Sequence, residues 1–273
     1  MGVKVSIIGC GRIGELIAEG IIRGEAGSTT LVSLFDRHQD KARRIASRAR
    51  VKVATSFEEV ILDPEVNLVV EAASRSAVRE FGQRILESGK HLLVLSSGSL
   101  LEKGVLETLV SAARRGGVRI YVPSGHAIGL DVIKAGRIPG LSKVSIELRK
   151  PPKAWGEFSR CFDRGKSGKK KKEGRRFSFE STAEDIISLM PKISNFVATV
   201  SLAGIGPTKT SVRAVRDPYL TRSVTRIHMV SKSWEVLVES RNDWGAKTLK
   251  NSLTVSSVLS KLRELGDPLD IGT

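Results

Sequence analysis

One short segment, Gly9-Cys10-Gly11-Arg12-Ile13-Gly14, constrains the fold of this chain more than any other. It follows Val3-Lys4-Val5-Ser6-Ile7-Ile8, which is β-branched and mostly apolar, as a buried parallel strand is. It opens Glu15-Leu16-Ile17-Ala18-Glu19-Gly20-Ile21-Ile22, where apolar residues recur at helical spacing. A strand that passes into a helix through Gly-x-Gly-x-x-Gly is the setting in which this pattern acquires meaning. The first glycine permits a tight turn, the second lets backbone approach a pyrophosphate, and the third lets the helix pack on the strand. The helix N-terminus then offers free N–H groups and partial positive charge to phosphate. Gly9, Gly11, Arg12, Ile13 and Gly14 are therefore candidate contacts of a dinucleotide.

Leu31-Val32-Ser33-Leu34-Phe35 reads as a second strand and ends at Asp36. An acid about twenty residues beyond the glycine loop binds the 2′-hydroxyl of an adenosine ribose, which favours NAD. Arg37, its neighbour, suits the 2′-phosphate of NADP, so the pattern admits NAD or NADP. The competing reading is that Asp36 only caps the next helix. Cys10, inside the loop, is read as a small packing residue, with a reactive thiol as the alternative at a helix N-terminus.

Helical spacing continues over 41–46, 57–61, 75–87 and 102–113, and strand-like runs over 51–54, 68–73, 91–95 and 119–123. Such alternation gives a parallel, doubly wound sheet with right-handed crossovers, so 1–123 is read as a Rossmann domain. After Pro123 the order changes. Helices are expected over 130–135, 183–189 and 195–203, and strands over 144–148, 209–215 and 225–238. The fold class is α/β: an N-terminal Rossmann doubly wound parallel sheet with a second, α+β catalytic domain over 124–249. A last helix over 253–265, within 250–273, is expected to return to the first domain.

Composition narrows the function classes. No apolar run approaches the roughly 18 residues of a membrane span, and the N-terminus lacks the layout of a signal peptide, so a soluble, cytoplasmic protein is expected. Cys10 and Cys161 cannot build a disulfide framework, and His38, His91, His126 and His228 show no ligand spacing, so no metal is expected. The net charge of +16 attracts anions such as dinucleotides and dicarboxylates. Abundant Lys, Arg and Glu with only Gln39 and Gln83 as glutamines match the trend of hyperthermophile proteins. The basic segment 164–176 reads as an exposed loop. Its other reading, a surface laid on nucleic acid by a nucleotide-sensing protein, lacks interleaved aromatics and a reading motif.

Three further segments follow in order. They are Val70-Glu71-Ala72-Ala73-Ser74-Arg75-Ser76-Ala77-Val78, Leu93-Val94-Leu95-Ser96-Ser97-Gly98, and Val122-Pro123-Ser124-Gly125-His126-Ala127-Ile128-Gly129-Leu130-Asp131. Behind a Rossmann start, this order resembles the L-aspartate dehydrogenases of archaea and bacteria. The later Phe179-Glu180-Ser181 and Pro191-Lys192-Ile193-Ser194-Asn195-Phe196-Val197-Ala198-Thr199 are similar to that family's segments too. The resemblance implies coenzyme contacts at Ala72, Ala73, Ser97, Gly98, His126 and Asn195, substrate contacts at Ser124, Lys247 and Thr248, and a catalytic histidine at His228. It also implies a homodimer, a small dicarboxylate amino acid as substrate, and a supply of iminoaspartate to NAD biosynthesis. Two departures stand out. His126 occupies the position of the family's coenzyme-contacting alanine, and Gly245-Ala246-Lys247-Thr248-Leu249 keeps only Lys-Thr of the family's segment.

The implied reaction oxidises L-aspartate to iminoaspartate, which water converts to oxaloacetate and ammonia. The coenzyme carries the hydride step, and the protein supplies orientation, charge and proton handling. One base can take the ammonium proton and activate the water, and histidine is the natural choice. His228 takes that role, with His126, at the carboxyl end of the last Rossmann strand, as its rival. Asn195 also suits a helix N-cap, and Cys161 reads as a plain packing or surface thiol. A related amino-acid or semialdehyde dehydrogenase remains the alternative enzyme, because function belongs to the site and not the fold.

Overall fold

The computed structural model describes residues 2–155, 176–190, 193–242, 252–269 and 271–272. The chain divides into two compact units, Met1–His126 with Thr248–Gly272, and Ala127–Lys247. Among the described residues, no helix is long and apolar enough to cross a membrane.

The first unit alternates strands and helices as β1 (Lys4–Ile8), α1 (Arg12–Ile22), β2 (Thr30–Phe35), α2 (Gln39–Ala49), β3 (Lys52–Val53), α3 (Phe57–Leu62), β4 (Leu68–Glu71), α4 (Arg75–Glu87), β5 (His91–Val94), α5 (Val105–Gly116) and β6 (Ile120–Tyr121). The six strands lie in the order β3-β2-β1-β4-β5-β6, every neighbouring pair parallel. Val5, Ile7, Val69, Val70, Leu92 and Leu93 are almost wholly buried, as strands covered on both faces must be. The strand order reverses between β1 and β4. The loops leaving their carboxyl ends therefore diverge and open a crevice.

Helix α10 (Leu253–Gly266) belongs to the first unit and packs on α1. Leu259 fills the space above Gly20, where an added Cβ would lie 2.5 Å from its Cδ1. Val255, Val258, Leu259 and Leu262 join Leu16, Ile17 and Ile21 in one apolar cluster, and Thr29 Oγ1 donates to the Leu262 carbonyl at 3.2 Å.

The second unit contains α6 (Leu130–Gly136), β7 (Leu141–Lys150), α7 (Pro152–Trp155), β8 (Phe177–Thr182), α8 (Ala183–Leu189), α9 (Ser194–Ala203), β9 (Ser211–Arg216), β10 (Ser223–Ser231) and β11 (Glu235–Asn242). Its five strands run β11-β10-β7-β9-β8, with β7 and β9 parallel and the other pairs antiparallel. Period-2 alternation sends Val144, Ile146, Leu148, Val212, Ala214, Ile227 and Met229 to a buried face. The opposite face carries Ser145, Glu147, Arg226, His228, Glu235 and Leu237.

Three expectations from sequence change here. The run 225–238 is two strands, β10 and β11, turning at Lys232-Ser233-Trp234, where Ser231 N–H donates to the Trp234 carbonyl at 2.9 Å. No glycine, proline or asparagine marks that turn. The helix expected over 102–113 begins at Val105, because Gly104 takes a left-handed conformation (φ 77°) that separates α5 from a 3-10 helix at Ser97–Leu101. Strand β8 was not anticipated at all. It pairs with β9 along its whole length, from Phe177 opposite Arg216 to Thr182 opposite Ser211.

Candidate functional site

The glycine loop lies where the crevice opens. Gly9 has φ +99°, and a Cβ there would sit 2.7 Å from the backbone of Ala72 and Ala73. At Gly14 a Cβ would meet the Gly9 carbonyl oxygen at 1.9 Å, so helix α1 approaches the loop as closely as backbone permits. Gly11 differs from both. Its backbone is extended (φ −73°, ψ −171°), open to any residue, and among the described residues an added Cβ would meet nothing within 4 Å. Neither conformation nor the chain's own packing calls for glycine there, and the open space faces a helix N-terminus without a side-chain cap. Such a cradle fits a phosphate group, whose oxygens need close approach to N–H donors.

Asp36 belongs to this loop. Its Oδ2 accepts the Cys10 N–H at 2.7 Å and its Oδ1 accepts the His38 N–H at 2.8 Å. It thus reaches across from the end of β2 to the glycine turn. A cavity of about 200 Å³ is lined by Gly9, Gly11, Asp36, Arg37, His38, Lys41, Ala72, Ala73 and Ser74, among others. The acid that suits a ribose and the cations that suit a 2′-phosphate therefore share one cavity. Cys10 is fully buried, and its thiol is pushed up to about 12 by burial and by the charge of Asp36, against Lys41 and Arg44. Buried and holding its proton at neutral pH, it serves as a packing residue.

Ala72 and Ala73 follow β4 and face the glycine loop. Ser97 and Gly98 open the 3-10 helix after β5 and are buried. In the same unit, Gly125 N–H donates to Ser257 Oγ at 3.0 Å, and His126 Nδ1 lies 3.1 Å from Thr254 Oγ1. The loop carrying Ser124 and His126 is thus moored to the first turn of α10.

His228 sits in β10, on the polar face of the second unit's sheet. Its Nε2 lies 2.5 Å from Glu235 Oε1. Ser145, Glu147, Arg226 and Leu237 line a cavity of about 270 Å³ with this pair. Arg226 is itself held by Glu239 at 2.6 Å and Glu147 at 3.4 Å, so its charge is neutralised locally. Asn195 is the second residue of α9 and exposed. The N-cap is Ile193, so the capping role considered for Asn195 does not hold. Its carbonyl accepts from Thr199 Oγ1 at 2.8 Å. Lys247, Thr248 and Cys161 lie outside the described residues, as does the basic segment 164–176 apart from Arg176.

Sequence reasoning missed Lys41, Glu235 and Glu71. Glu235 becomes visible only once 225–238 is split into a hairpin, which brings it diagonally opposite His228. Glu71 was quoted as part of a motif but assigned no role.

The comparisons accord with this architecture. Residues 9–123 match the family model described as homoserine dehydrogenase, NAD binding domain. Residues 131–265 match aspartate dehydrogenase, C-terminal. An L-aspartate dehydrogenase of Methanosarcina mazei is 34% identical over 272 residues, covering 99% of this chain and 100% of that protein. One from Methanocaldococcus jannaschii is 28% identical over 273 residues, with 99% and 100% covered. The crystal structure of aspartate dehydrogenase from Thermotoga maritima superposes with a TM-score of 0.77 at 25% identity, covering 100% of both chains. With the dinucleotide crevice and the mixed sheet both in place, the chain belongs to the L-aspartate dehydrogenase family.

Proposed function

We propose that this protein catalyses the NAD(P)-dependent oxidative deamination of L-aspartate. The open space at Gly11, which nothing among the described residues requires, carries the coenzyme half of the reading. The likeness to L-aspartate dehydrogenases along the whole chain supports the substrate half. In balance, L-aspartate, water and oxidised coenzyme give oxaloacetate, ammonium, reduced coenzyme and a proton. When bound, the coenzyme accepts the hydride from Cα of the substrate.

Gly9, Gly11, Arg12, Ile13 and Gly14 would hold the pyrophosphate, and Asp36 the adenosine ribose. Arg37 and Lys41 would accept a 2′-phosphate. Ala72, Ala73, Ser97, Gly98, His126 and Asn195 complete the proposed coenzyme contacts. His228 takes the proton that the substrate ammonium must lose before its nitrogen can form an imine, releases it to solvent, and then, neutral again, accepts a proton from the water that attacks the imine. Glu235, on Nε2 of the ring, orients the imidazole. Ser124, Lys247 and Thr248 are the proposed partners of the two substrate carboxylates. The proposal extends to a cytoplasmic homodimer that supplies iminoaspartate to NAD biosynthesis.

The test follows coenzyme reduction over a panel of amino acids. L-aspartate is expected to stand well above glutamate, alanine and homoserine. Preference for another member of the panel would remove the substrate assignment and leave the coenzyme site standing.

A further inference from the structure

Glu71 ends β4 and is only 2% exposed, yet the reaction outlined above makes no use of it. Its Oε1 accepts the Ala73 N–H, the Ser74 N–H and the Ser96 hydroxyl, each at 2.9 Å. Its Oε2 accepts the Ser96 N–H at 3.0 Å. No cationic side chain among the described residues contributes to holding its charge. Burial pushes its carboxyl up, while the hydrogen bonds from Ser96, Ala73 and Ser74 pull it back. A buried anion held only by neutral donors is an expensive feature, and a fold that needed packing alone would place an apolar side chain there.

The origin of the donors shows what the carboxylate does. Ala73 and Ser74 belong to the loop after β4, and Ser96 to the loop after β5. The two strands are parallel neighbours, with Glu71 opposite Val94, so both loops emerge at the same end of the sheet. The first loop forms one wall of the crevice. The Ala72–Ala73 backbone is the surface against which Gly9 turns, and Ala73 and Ser74 line the cavity beside Asp36. The second loop leads directly into Ser97 and Gly98. Ser74 also caps α4, its Oγ accepting the Ala77 N–H at 3.2 Å. One side chain thus ties the wall facing the glycine loop to the loop beside it.

We propose that Glu71 is a positioning residue of the coenzyme site, its buried carboxylate joining the β4 and β5 loops so that the crevice wall is formed before the dinucleotide arrives. Preorganisation of this kind appears in affinity, because binding then orders less of the protein. A residue that merely supports folding would lower stability and leave affinity unchanged. The inference rests on the crevice being the dinucleotide site.

The experiment titrates the full-length protein, Glu71→Gln, Ser96→Ala and Asp217→Asn with NAD, NADP and their reduced forms by calorimetry, alongside thermal melts without coenzyme. Asp217→Asn, in the other unit, supplies a loss of stability at a residue that does not line the crevice. Gln offers one acceptor oxygen to four donors, so Glu71→Gln is expected to weaken every coenzyme by at least about tenfold while the circular dichroism spectrum is retained. Ser96→Ala removes one of the four bonds, with an expected loss of about threefold to tenfold. Asp217→Asn is expected to melt earlier and bind as the unmodified protein does.

A folded Glu71→Gln whose dissociation constants stay within about twofold of the unmodified protein overturns the proposal. Should Glu71→Gln fail to fold, unchanged affinity in Ser96→Ala overturns it instead. Absence of binding by the unmodified protein is a different result, which removes the dinucleotide reading and this inference with it.

Discussion

The backbone N–H of Cys10 donates to Oδ2 of Asp36 at 2.7 Å, so the acid after the second strand grips the glycine turn after the first. The same carboxylate accepts the His38 N–H through its other oxygen. Asp36 therefore holds the loop in shape as well as presenting an acceptor to a ribose. Asp36→Ala removes both functions, and the expected outcome is a loss of NAD affinity of about tenfold to a hundredfold. NADP should lose less, because Arg37 and Lys41 remain in the same cavity. Dissociation constants for the two coenzymes check this, and an unchanged preference for one over the other would contradict it.

Gly11→Ala and Gly14→Ala add the same methyl group and should fail differently. The Gly11 methyl enters open space, so the variant is expected to melt within about 2 °C of the unmodified protein and to lose coenzyme binding. The Gly14 methyl would meet the Gly9 carbonyl oxygen at 1.9 Å, so that variant should lose several degrees of melting temperature as well. Melting curves with and without coenzyme separate the two cases.

His228→Ala should leave coenzyme binding intact and lower kcat by about 10²- to 10⁴-fold, the range of a lost general base. Glu235→Gln keeps a hydrogen-bond acceptor on Nε2 but removes the charge. A smaller drop in kcat is expected, with KM for the coenzymes unchanged. Near-normal turnover in His228→Ala would transfer attention to His126.

Cys10 is buried with its thiol pushed up to about 12. At pH 8 an alkylating reagent is therefore expected to leave the Cys10 peptide unmodified in the native protein and to modify it after unfolding. Peptide mass spectrometry reads the outcome. Native-state labelling at Cys10 would show that the loop opens far more than its packing implies.

Asp217 should set part of the acid stability of the second unit. Burial alone would raise its carboxyl, but a hydrogen bond from Arg149, the Tyr219 N–H and the charges of Arg176 and Arg149 hold it below the usual range. A lowered native value means stability that is present above the ordinary carboxylate pKa and lost as pH falls through the native one. Asp217→Asn should accordingly melt earlier than the unmodified protein at pH 7, by about 4–8 °C for a loss of about 2 kcal/mol. The gap should close below about pH 4. A pH-independent difference would assign the effect to packing.

The first unit was largely legible because its signals are local. A buried parallel strand, a glycine turn and an amphipathic helix are each written in a few consecutive residues, and their repetition implies the doubly wound sheet. Strand β8 was not legible. Its alternation, Phe177-Ser178-Phe179-Glu180-Ser181-Thr182, is short and directly follows a basic run that reads as loop. What makes it a strand is its pairing with β9, some thirty-five residues further along the chain. The turn between β10 and β11 was hidden for a related reason, since Lys232-Ser233-Trp234 carries no glycine, proline or asparagine.

What the amino-acid order determined by itself was the glycine turn, the acid beyond it and the helix they serve, because backbone conformation and close approach are properties of neighbouring residues. What only the tertiary structure decided was the company each functional group keeps. Glu71 acquires its four hydrogen bonds from two loops, one of them about twenty-five residues away, and His228 meets Glu235 only through the register of a hairpin. Such partnerships depend on strands lying side by side, and lateral pairing leaves no periodic trace in the residues that share it.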